Sequence, residues 1–338
     1  MRTRLLLLSI LFVGICKNIS AQDLHYSQFY NAPLTINPAL TGIFNGDQRV
    51  SASVRDQWRS VPVPWFTATI GYDQKFYREK SKKSFFGIGG FLNYDRQGDS
   101  NLTLTNLNIS GSYNYVINTN NIITLGVLVG FATRGFDESN LTWDKQWDGL
   151  QFNPGEGSGE NFDMQRVALF ENGAGLNYRL QLNKRTKIDL GVGGFHLLAP
   201  DVTYTAAASV LPRLPRRFSV YGIGSIGLTD KLDFQLDGLA QFQGPYREYL
   251  VGGYLNYFLS RQAGKSIAVR AGVGYRTSQA LYPKIALQYN QVFVAFSYDI
   301  DMSEFSQHTN GRGGPELHFQ YLITHVKPMG QFKVCPIF

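Results

Sequence analysis

Hydrophobic and polar residues alternate along two neighbouring stretches near the middle of the chain, residues 231–243 and 249–258. Side chains of a strand point alternately to opposite faces, so this pattern places apolar groups on one face and polar groups on the other. Leu239 is the one residue that breaks the pattern in the first stretch. Each stretch has the ~10 residues that a tilted strand needs to cross a bilayer, whereas soluble strands usually have about 5–6. The pair therefore predicts a hairpin of either a membrane barrel or a soluble β-sandwich.

Similar runs recur from Arg49 to the end of the chain and number about fourteen. The predicted strands are 49–55, 66–73, 85–94, 106–115, 122–133, 167–178, 188–198, 217–226, 232–243, 249–258, 267–276, 282–289, 292–298 and 316–323.

The connections between these strands alternate in length. Even-numbered strands are followed by short turns such as 118–121 and 290–291, whereas the long segments 135–166, 200–216 and 299–315 all follow odd-numbered strands. Bacterial outer-membrane barrels have an even strand number, short periplasmic turns and long external loops, and a sandwich has no reason to alternate in this way. The sequence thus predicts an all-β fold, a transmembrane antiparallel β-barrel of about 14 strands, with its long segments outside the cell.

An export signal precedes the predicted barrel. A basic start, a short apolar run over residues 5–16 and small residues before Gln22 are typical of a secretory signal peptide that is cleaved between Ala21 and Gln22. Cys16 raises the alternative of a lipoprotein, but Ile15 stands where that cleavage needs a small side chain. The predicted organisation is a signal peptide at 1–21, an N-terminal periplasmic arm or plug at 22–48, the barrel at 49–323 and a tail at 324–338.

Composition narrows the classes of function. The formal net charge is +7, and the basic residues are scattered along the chain, which argues against nucleic-acid binding. Cys335 is the one cysteine outside the signal peptide, so a disulfide framework is excluded, and its role stays open between a buried thiol, an intermolecular link and part of a terminal assembly signal. The 14% aromatic content and 35 glycines are typical of an outer-membrane barrel.

The strand number also limits the interior. About eight strands leave room only for side chains, and 16–18 leave a water channel, so fourteen predict a lumen that could hold an inserted segment or a partner's peptide. The polar residues expected to line it are Asn106, Asn108, Ser110, Asn114, Asp233, Gln235, Asp237, Gln241 and Gln243.

Three patterns resemble sites of known chemistry, and none predicts an enzyme. The glycines of residues 222–227 match a dinucleotide motif, but that motif needs a following helix, and residues 228–231 read as a turn into another strand. His196 could pair with Asp201, in a structural hydrogen bond rather than as a base. The acidic, glycine-rich segment 148–163 could hold calcium but lacks the EF-hand spacing, which favours a surface loop. We predict no catalytic residue, no cofactor and no metal.

Residues 26–42, which include Asn37, Pro38, Ala39 and Gly42, closely resemble the N-terminal signature of the PorP/SprF family of type IX secretion system proteins from Bacteroidota. The ending Cys-Pro-Ile-Phe also resembles that of the family, which usually has a basic residue where Ile337 stands. Further matches are Arg49, 55–58, 71–73, 195–196, Pro200, 214–217, 297–299 and Ser303.

The resemblance implies an integral outer-membrane barrel without enzymatic activity. Relatives assist type IX export and surface anchoring of one large adhesin, including adhesins used for gliding, or of other cargo with a C-terminal sorting domain. The expected partners are therefore cargo and machinery proteins. The alternatives are a core component that couples the outer membrane to the periplasmic ring and motor, and a small-solute porin, which would conduct ions.

Candidate cargo-contacting residues lie in the predicted external loops. Aromatic side chains in exposed loops often anchor protein interfaces, and arginines form directed hydrogen bonds with acidic groups. As an alternative, the aromatic side chains fold back and close the barrel mouth. The arm is expected in the periplasm, where it either plugs the lumen or contacts the machinery. The candidates are Trp143, Trp147, Phe152, Arg213, Arg216 and Arg217.

Overall fold

A closed barrel forms most of the regular structure of the described residues. The computed structural model describes residues 23–61, 63–77, 83–139, 141–160, 162–205, 212–262 and 264–324. Within them, fourteen antiparallel strands follow one another around the wall, and the last pairs with the first. The strands are β1 (Gln48–Gln57), β2 (Trp65–Tyr77), β3 (Ser84–Gln97), β4 (Leu102–Asn118), β5 (Asn121–Gly135), β6 (Arg166–Gln181), β7 (Lys187–Phe195), β8 (Arg217–Gly227), β9 (Leu232–Gln243), β10 (Tyr246–Gln262), β11 (Lys265–Arg276), β12 (Ala280–Tyr289), β13 (Val292–Asp301) and β14 (Arg312–Ile323).

Helical structure is sparse in this part of the chain. One short helix, α1 (Ser306–Thr309), lies between β13 and β14, and four 3-10 turns occupy Phe29–Asn31, Pro33–Thr35, Pro38–Leu40 and Asp144–Gln146. None of the described helices is long and apolar enough to cross a membrane.

The predicted fold class and the fourteen predicted strands are confirmed. Most strands are longer than predicted, as in β4, which has 17 residues because its backbone pairing continues beyond the alternating core. The seventh strand is shorter than predicted: it ends at Phe195 rather than at residue 198. His196 and Ala199 have φ values of 53° and 46°, and this left-handed backbone turns the chain out of the sheet.

The two faces of the wall have opposite chemistry. On β4 and β5, the outward side chains Leu107, Ile109 and Val127 are 59–63% exposed, although all three are apolar. The inward side chains Asn108 and Asn114 are at most 2% exposed. A belt of exposed apolar side chains around a polar interior fits a wall that is surrounded by lipid. The predicted lumen residues accordingly lie on the inner face, with Gln235 and Gln241 partly buried there.

The two rims differ in the length of their connections. The long segments 136–165, 196–216 and 302–311 follow β5, β7 and β13, whereas residues 119–120, 182–186, 228–231 and 290–291 are tight turns after even-numbered strands. Because neighbouring strands are antiparallel, all three long segments lie on the same rim, as predicted. By the rule for bacterial barrels, this rim is the external one, and the rim of tight turns faces the periplasm.

The glycine-rich segment 222–227 lies at the end of β8 and leads through a turn into β9. The predicted turn into another strand is therefore confirmed, and a strand stands where the dinucleotide motif requires a helix.

Candidate functional site: a plugged lumen and its external rim

Residues 23–47, the described part of the arm, lie inside the barrel. The arm begins near the external rim, where Asp23 contacts His196, and it ends near the periplasmic rim, where the backbone nitrogen of Asp47 donates to the carbonyl of Ile323. Between these points it contacts strands all around the wall. The described part of the arm therefore lies in the lumen, packed against the wall.

Three consecutive 3-10 turns make the arm compact enough for the lumen. Pro33 and Pro38 open two of these turns. The backbone N–H at the first position of a helical turn has no partner within the turn, so proline, which lacks this group, loses no hydrogen bond there. The Asn37 side chain caps the third turn, since its Oδ1 accepts a 2.8 Å hydrogen bond from the nitrogen of Ala39. Local sequence thus folds the arm into short turns, and the wall supplies its tertiary contacts.

The family-like residues of the arm bind the wall at mid-lumen. The Asn37 Nδ2 donates to the carbonyl of Leu176 and to the hydroxyl of Tyr221, both at 3.0 Å. The backbone nitrogen of Gly42, which has a φ of 75°, donates to Asp73 Oδ2 at 2.7 Å. A Cβ placed on Gly126 of the wall would lie 2.2 Å from the backbone nitrogen of Ala39. These residues therefore position the plug and leave no gap along this wall.

Apolar packing explains the one break in the alternating pattern of β9. Leu239 points into the lumen, is 5% exposed and pairs across the strands with Leu250. Both belong to a buried cluster that includes the arm residues Phe29, Ile36, Leu40 and Ile43. An apolar residue in a polar row thus marks a contact with the plug.

Near the external rim, a cluster of charged groups holds the start of the arm. Asp23 accepts a 2.9 Å hydrogen bond from Arg134 Nη2, and its other oxygen lies 2.5 Å from His196 Nε2 and 3.6 Å from Arg217 Nη1. The second ring nitrogen of His196 lies 2.8 Å from Glu171 Oε2. We call these five residues the upper charge cluster.

The upper charge cluster corrects the suggested pairing of His196 with Asp201. His196 pairs with Asp23 and Glu171, and Asp201 pairs on the loop surface with Arg213, at 3.2 Å. Burial raises the pKa of Asp23, but His196, Arg217 and Arg134 outweigh this effect and hold the pKa well below its usual range. Burial lowers the pKa of His196, but the Asp23 and Glu171 carboxylates outweigh it and raise that pKa to about 9. At neutral pH both members of the pair are charged.

Arg55 of β1 holds the next part of the arm. Its Nη1 donates to the carbonyl of His25 at 2.8 Å, and its Nη2 donates to Asp299 Oδ2 at 2.5 Å. Glu316 accepts 2.8 Å hydrogen bonds from the backbone nitrogens of Ser27 and Gln28. Hydrogen bonds with one charged partner are roughly twice as strong as neutral ones, so this buried set ties the arm to β1, β13 and β14.

Docking of the arm is expected to be tightest near neutral pH. The raised pKa of His196, about 9, gives stability that is complete below the ordinary value of 6.5 and is lost as pH rises through 9. Burial, Arg276 and Arg55 lower the pKa of His25 well below 6.5, so its contribution is present above 6.5 and is lost as pH falls. Single-channel recordings should show brief unplugging events that become more frequent on both sides of neutrality.

The variant His196→Gln is the control for this pH profile. It should abolish the increase in unplugging events at alkaline pH and leave the increase at acid pH unchanged. Recordings that do not vary with pH would contradict this interpretation of both histidines.

On the external rim, the long loop after β5 exposes an apolar tip. Trp147, Leu150 and Phe152 are 56%, 90% and 45% exposed, and we call these three residues the loop tip. Trp147 and Phe152 form a β-bridge, and Asp148 Oδ1 accepts hydrogen bonds from the nitrogens of Leu150 and Gln151. The tip is therefore an ordered turn that holds apolar groups in solvent. The sequence-based candidates did not include Leu150, although its place beside Gly149 in a turn is a recognisable signal of exposure.

Trp143 has a different environment from the tip. Its ring lies 5.9 Å from that of Phe162, which contacts Phe136, and Phe136 contacts Tyr204 of the next loop. Trp143 is only partly exposed. It therefore packs against other loop residues, whereas Trp147 and Phe152 are exposed.

The three candidate arginines occupy three environments. Arg213 is exposed beside Asp201, and the exposed Arg216 donates to the carbonyl of Leu197 at 2.8 Å. Arg217 is 7% exposed and donates from inside the lumen to the carbonyl of Thr35 at 2.9 Å. The prediction that Arg217 faces cargo is therefore wrong: it is the first inward residue of β8 and holds the arm.

For some predicted features the described residues show no site, and some predicted residues are not described. The described residues contain no group of three or more His, Cys, Asp or Glu side chains that could hold a metal, and this includes the described part of the acidic segment 148–163. Ala21, Gln22 and Cys335 lie outside the described residues.

Solved structures that are similar to this chain include two toluene transporters and a FadL homologue. The Ralstonia pickettii toluene transporter TbuX is 14% identical, with a TM-score of 0.52 over 87% of this chain and 94% of that one. A Pseudomonas aeruginosa FadL homologue is 12% identical, with a TM-score of 0.49 over 84% and 92%. The P. putida toluene transporter TodX is 9% identical, with a TM-score of 0.48 over 88% and 95%. At this identity the likeness to TbuX shows the fold alone.

No curated protein matches the sequence. A family model does match, and it covers residues 18–319, a span that includes the arm and nearly all of the barrel. Its description, type IX secretion system membrane protein PorP/SprF, names the family that the sequence resembles. The chain therefore belongs to the PorP/SprF family of type IX secretion system membrane proteins and is an outer-membrane β-barrel of that system.

Proposed function

We propose that this barrel is a non-enzymatic partner in the export and surface anchoring of one secreted protein, a large adhesin or other cargo with a C-terminal sorting domain. The cargo docks on the external rim. The observation that carries the proposal is the combination of a filled lumen with an exposed loop tip at Trp147, Leu150 and Phe152. Clustered apolar side chains in solvent, rimmed by polar ones, are typical of protein-binding surfaces.

The filled lumen argues against the porin alternative. A solute that crosses the wall would have to pass the arm, which touches the backbone of the wall at Gly126 and Gly193. A partner that binds the rim needs no such passage. The arm therefore favours binding of a partner protein at the rim over conduction of solutes through the lumen.

The triple variant Trp147→Ser, Leu150→Ser and Phe152→Ser should reduce surface display of the cognate cargo by about tenfold or more. Central aromatic anchors often contribute 2 kcal/mol or more to an interface, and 1.4 kcal/mol is a factor of ten in affinity. Display is measured with an antibody against the cargo on intact cells. Met164 and Leu198 are 48% and 70% exposed outside the tip, so Met164→Ser with Leu198→Ser is the matched control. Equal display in the triple variant and the control would reject the tip as the docking site.

A comparison of surface proteomes with and without the barrel separates the remaining roles. Loss of one large protein would support a dedicated partner. Loss of all type IX cargo would instead identify a core component that couples the membrane to the periplasmic machinery. An unchanged surface proteome would contradict the proposed function.

A further inference from the structure

At the periplasmic mouth, below the arm, the lumen widens into a cavity of about 570 Å³. The arm forms its roof with Leu40, Ile43 and Phe44, and the ends of β6 to β11 form much of its wall. This volume lies within the ~300–1,000 Å³ of typical ligand sites. We call it the periplasmic cavity.

The wall of the periplasmic cavity carries more positive than negative charge. Three of its arginines have acidic partners: Arg49 pairs with Asp73, Arg179 with Asp189 and Arg185 with Asp233. Four further cations line the cavity with no carboxylate at ion-pair distance among the described residues. They are Lys184, Lys187, Arg261 and Arg270.

Lys187 and Arg270 are the two unmatched cations whose side chains are only partly exposed, whereas Lys184 and Arg261 are exposed. Within the part of the chain that is described, the side chain of Lys187 makes no hydrogen bond or ion pair, and it is only partly exposed. Its surroundings include Arg179, Arg270 and Arg49, and the nearby acid Asp189 already binds Arg179 through two bonds of 2.7 and 2.8 Å. Like charges gathered in a concave wall raise the local concentration of anions.

Neutral hydrogen-bond acceptors fix the orientation of the Arg270 guanidinium. Its guanidinium donates to Gln288 Oε1 at 2.9 Å, to Asn256 Oδ1 at 3.2 Å and to the Tyr254 hydroxyl at 3.2 Å. These partners fix its position and leave its charge uncompensated. An arginine that is oriented in this way can bind a carboxylate with little loss of side-chain freedom.

We propose that the periplasmic cavity binds an acidic peptide segment that enters from the periplasm, with Lys187 and Arg270 as its principal anchors. Lys187 lies on β7 and Arg270 on β11, so a chain with several carboxylates can reach both from the mouth of the lumen. Gln235 on the wall between them offers an amide for the peptide backbone, and Phe44 offers an apolar roof. This site is independent of cargo docking on the external rim.

The chain's own tail does not have the required chemistry. Thr324 lines the cavity, and the segment 325–338 follows it directly. That segment contains Lys327 and Lys333 but neither aspartate nor glutamate. Its charge therefore matches that of the wall instead of complementing it, and the acidic segment belongs to another protein.

The test is the binding of a fluorescein-labelled peptide of alternating glutamate and leucine to the full processed barrel in nanodiscs, followed by fluorescence polarisation. The double variant Lys187→Gln with Arg270→Gln should weaken binding by about tenfold or more, since it removes both charged donors from the site. Lys187→Arg should retain binding, which separates a loss of charge from a loss of fold. The control, Lys145→Gln with Arg166→Gln, removes the same charge from exposed residues on the external side and should change nothing.

Several outcomes would overturn the proposal. Equal loss in the double variant and the control would indicate dispersed surface charge. Unchanged binding when glutamine replaces glutamate in the peptide would exclude carboxylate recognition. Complete displacement by millimolar inorganic phosphate would indicate a small-anion site, and tighter peptide binding after removal of residues 325–338 would show that the tail is the occupant.

Discussion

Deletion of residues 23–46 should turn the barrel from a closed wall into a steadily conducting pore. The fourteen strands pair only with their neighbours in the wall, so the ring of backbone hydrogen bonds does not depend on the arm. Side chains fill the lumen of a barrel of about eight strands, and a barrel of 16–18 strands encloses a water channel. An empty lumen of fourteen strands is intermediate in width. Charged groups such as Arg55 and Asp299 would then be hydrated, which favours entry of water and ions.

The measurement is ion conductance of the purified protein in planar bilayers. The matched control is the loop-tip triple variant, which changes the external rim but keeps the arm and should stay closed. Steady conductance in the unaltered chain would support the porin alternative and contradict the plug. Absence of conductance in a folded deletion variant would show that other segments also close the lumen.

The substitution Arg55→Ala should release the first part of the arm and have the largest effect of any single change in the lumen. Arg55 is 1% exposed, and its removal frees the His25 carbonyl and leaves Asp299 and Glu316 with less compensating charge. Breaking a buried pair by removing one partner typically costs about 3–5 kcal/mol. Part of that cost is avoided if the arm leaves and water enters, so undocking is the expected response.

Release of the arm can be followed by thiol labelling. Ala32→Cys, in a background that carries Cys335→Ser, places a thiol at a buried arm position that is 5% exposed. Arg55→Ala should increase its labelling rate by an order of magnitude or more. Arg213→Ala is the matched control: its pair with Asp201 is 70% and 49% exposed, and such surface pairs contribute about 0–1 kcal/mol. Equal labelling in the two variants would contradict the role of Arg55.

The candidate site could be predicted only in part, and two adjacent residues show why. Arg216 and Arg217 are equivalent in a composition-based prediction, yet one lies in solvent and the other binds Thr35 inside the lumen. The difference is a matter of strand register, because a shift of one residue moves a side chain to the opposite face.

At Leu239, by contrast, the sequence pattern indicated a feature that the sequence analysis did not interpret. An apolar residue in a polar row suggested no more than an irregularity. In the structure it belongs to the buried cluster that also contains Ile36 and Leu40 of the arm. The exception therefore located a contact, although its partner could not be named from the strand alone.

The amino-acid sequence by itself determined the wall: the fourteen strands, their inner and outer faces, the rim that carries the long loops and the family. These properties follow from periodicity, spacing and motifs, which are local along the chain. Only the tertiary structure decided that the arm fills the lumen, that Asp23 meets His196 and that unmatched cations surround a cavity at the periplasmic mouth. Such contacts join residues as distant as Ser27 and Glu316, 289 positions apart. The residue pattern of one strand does not show which residues face it across the lumen of a closed barrel.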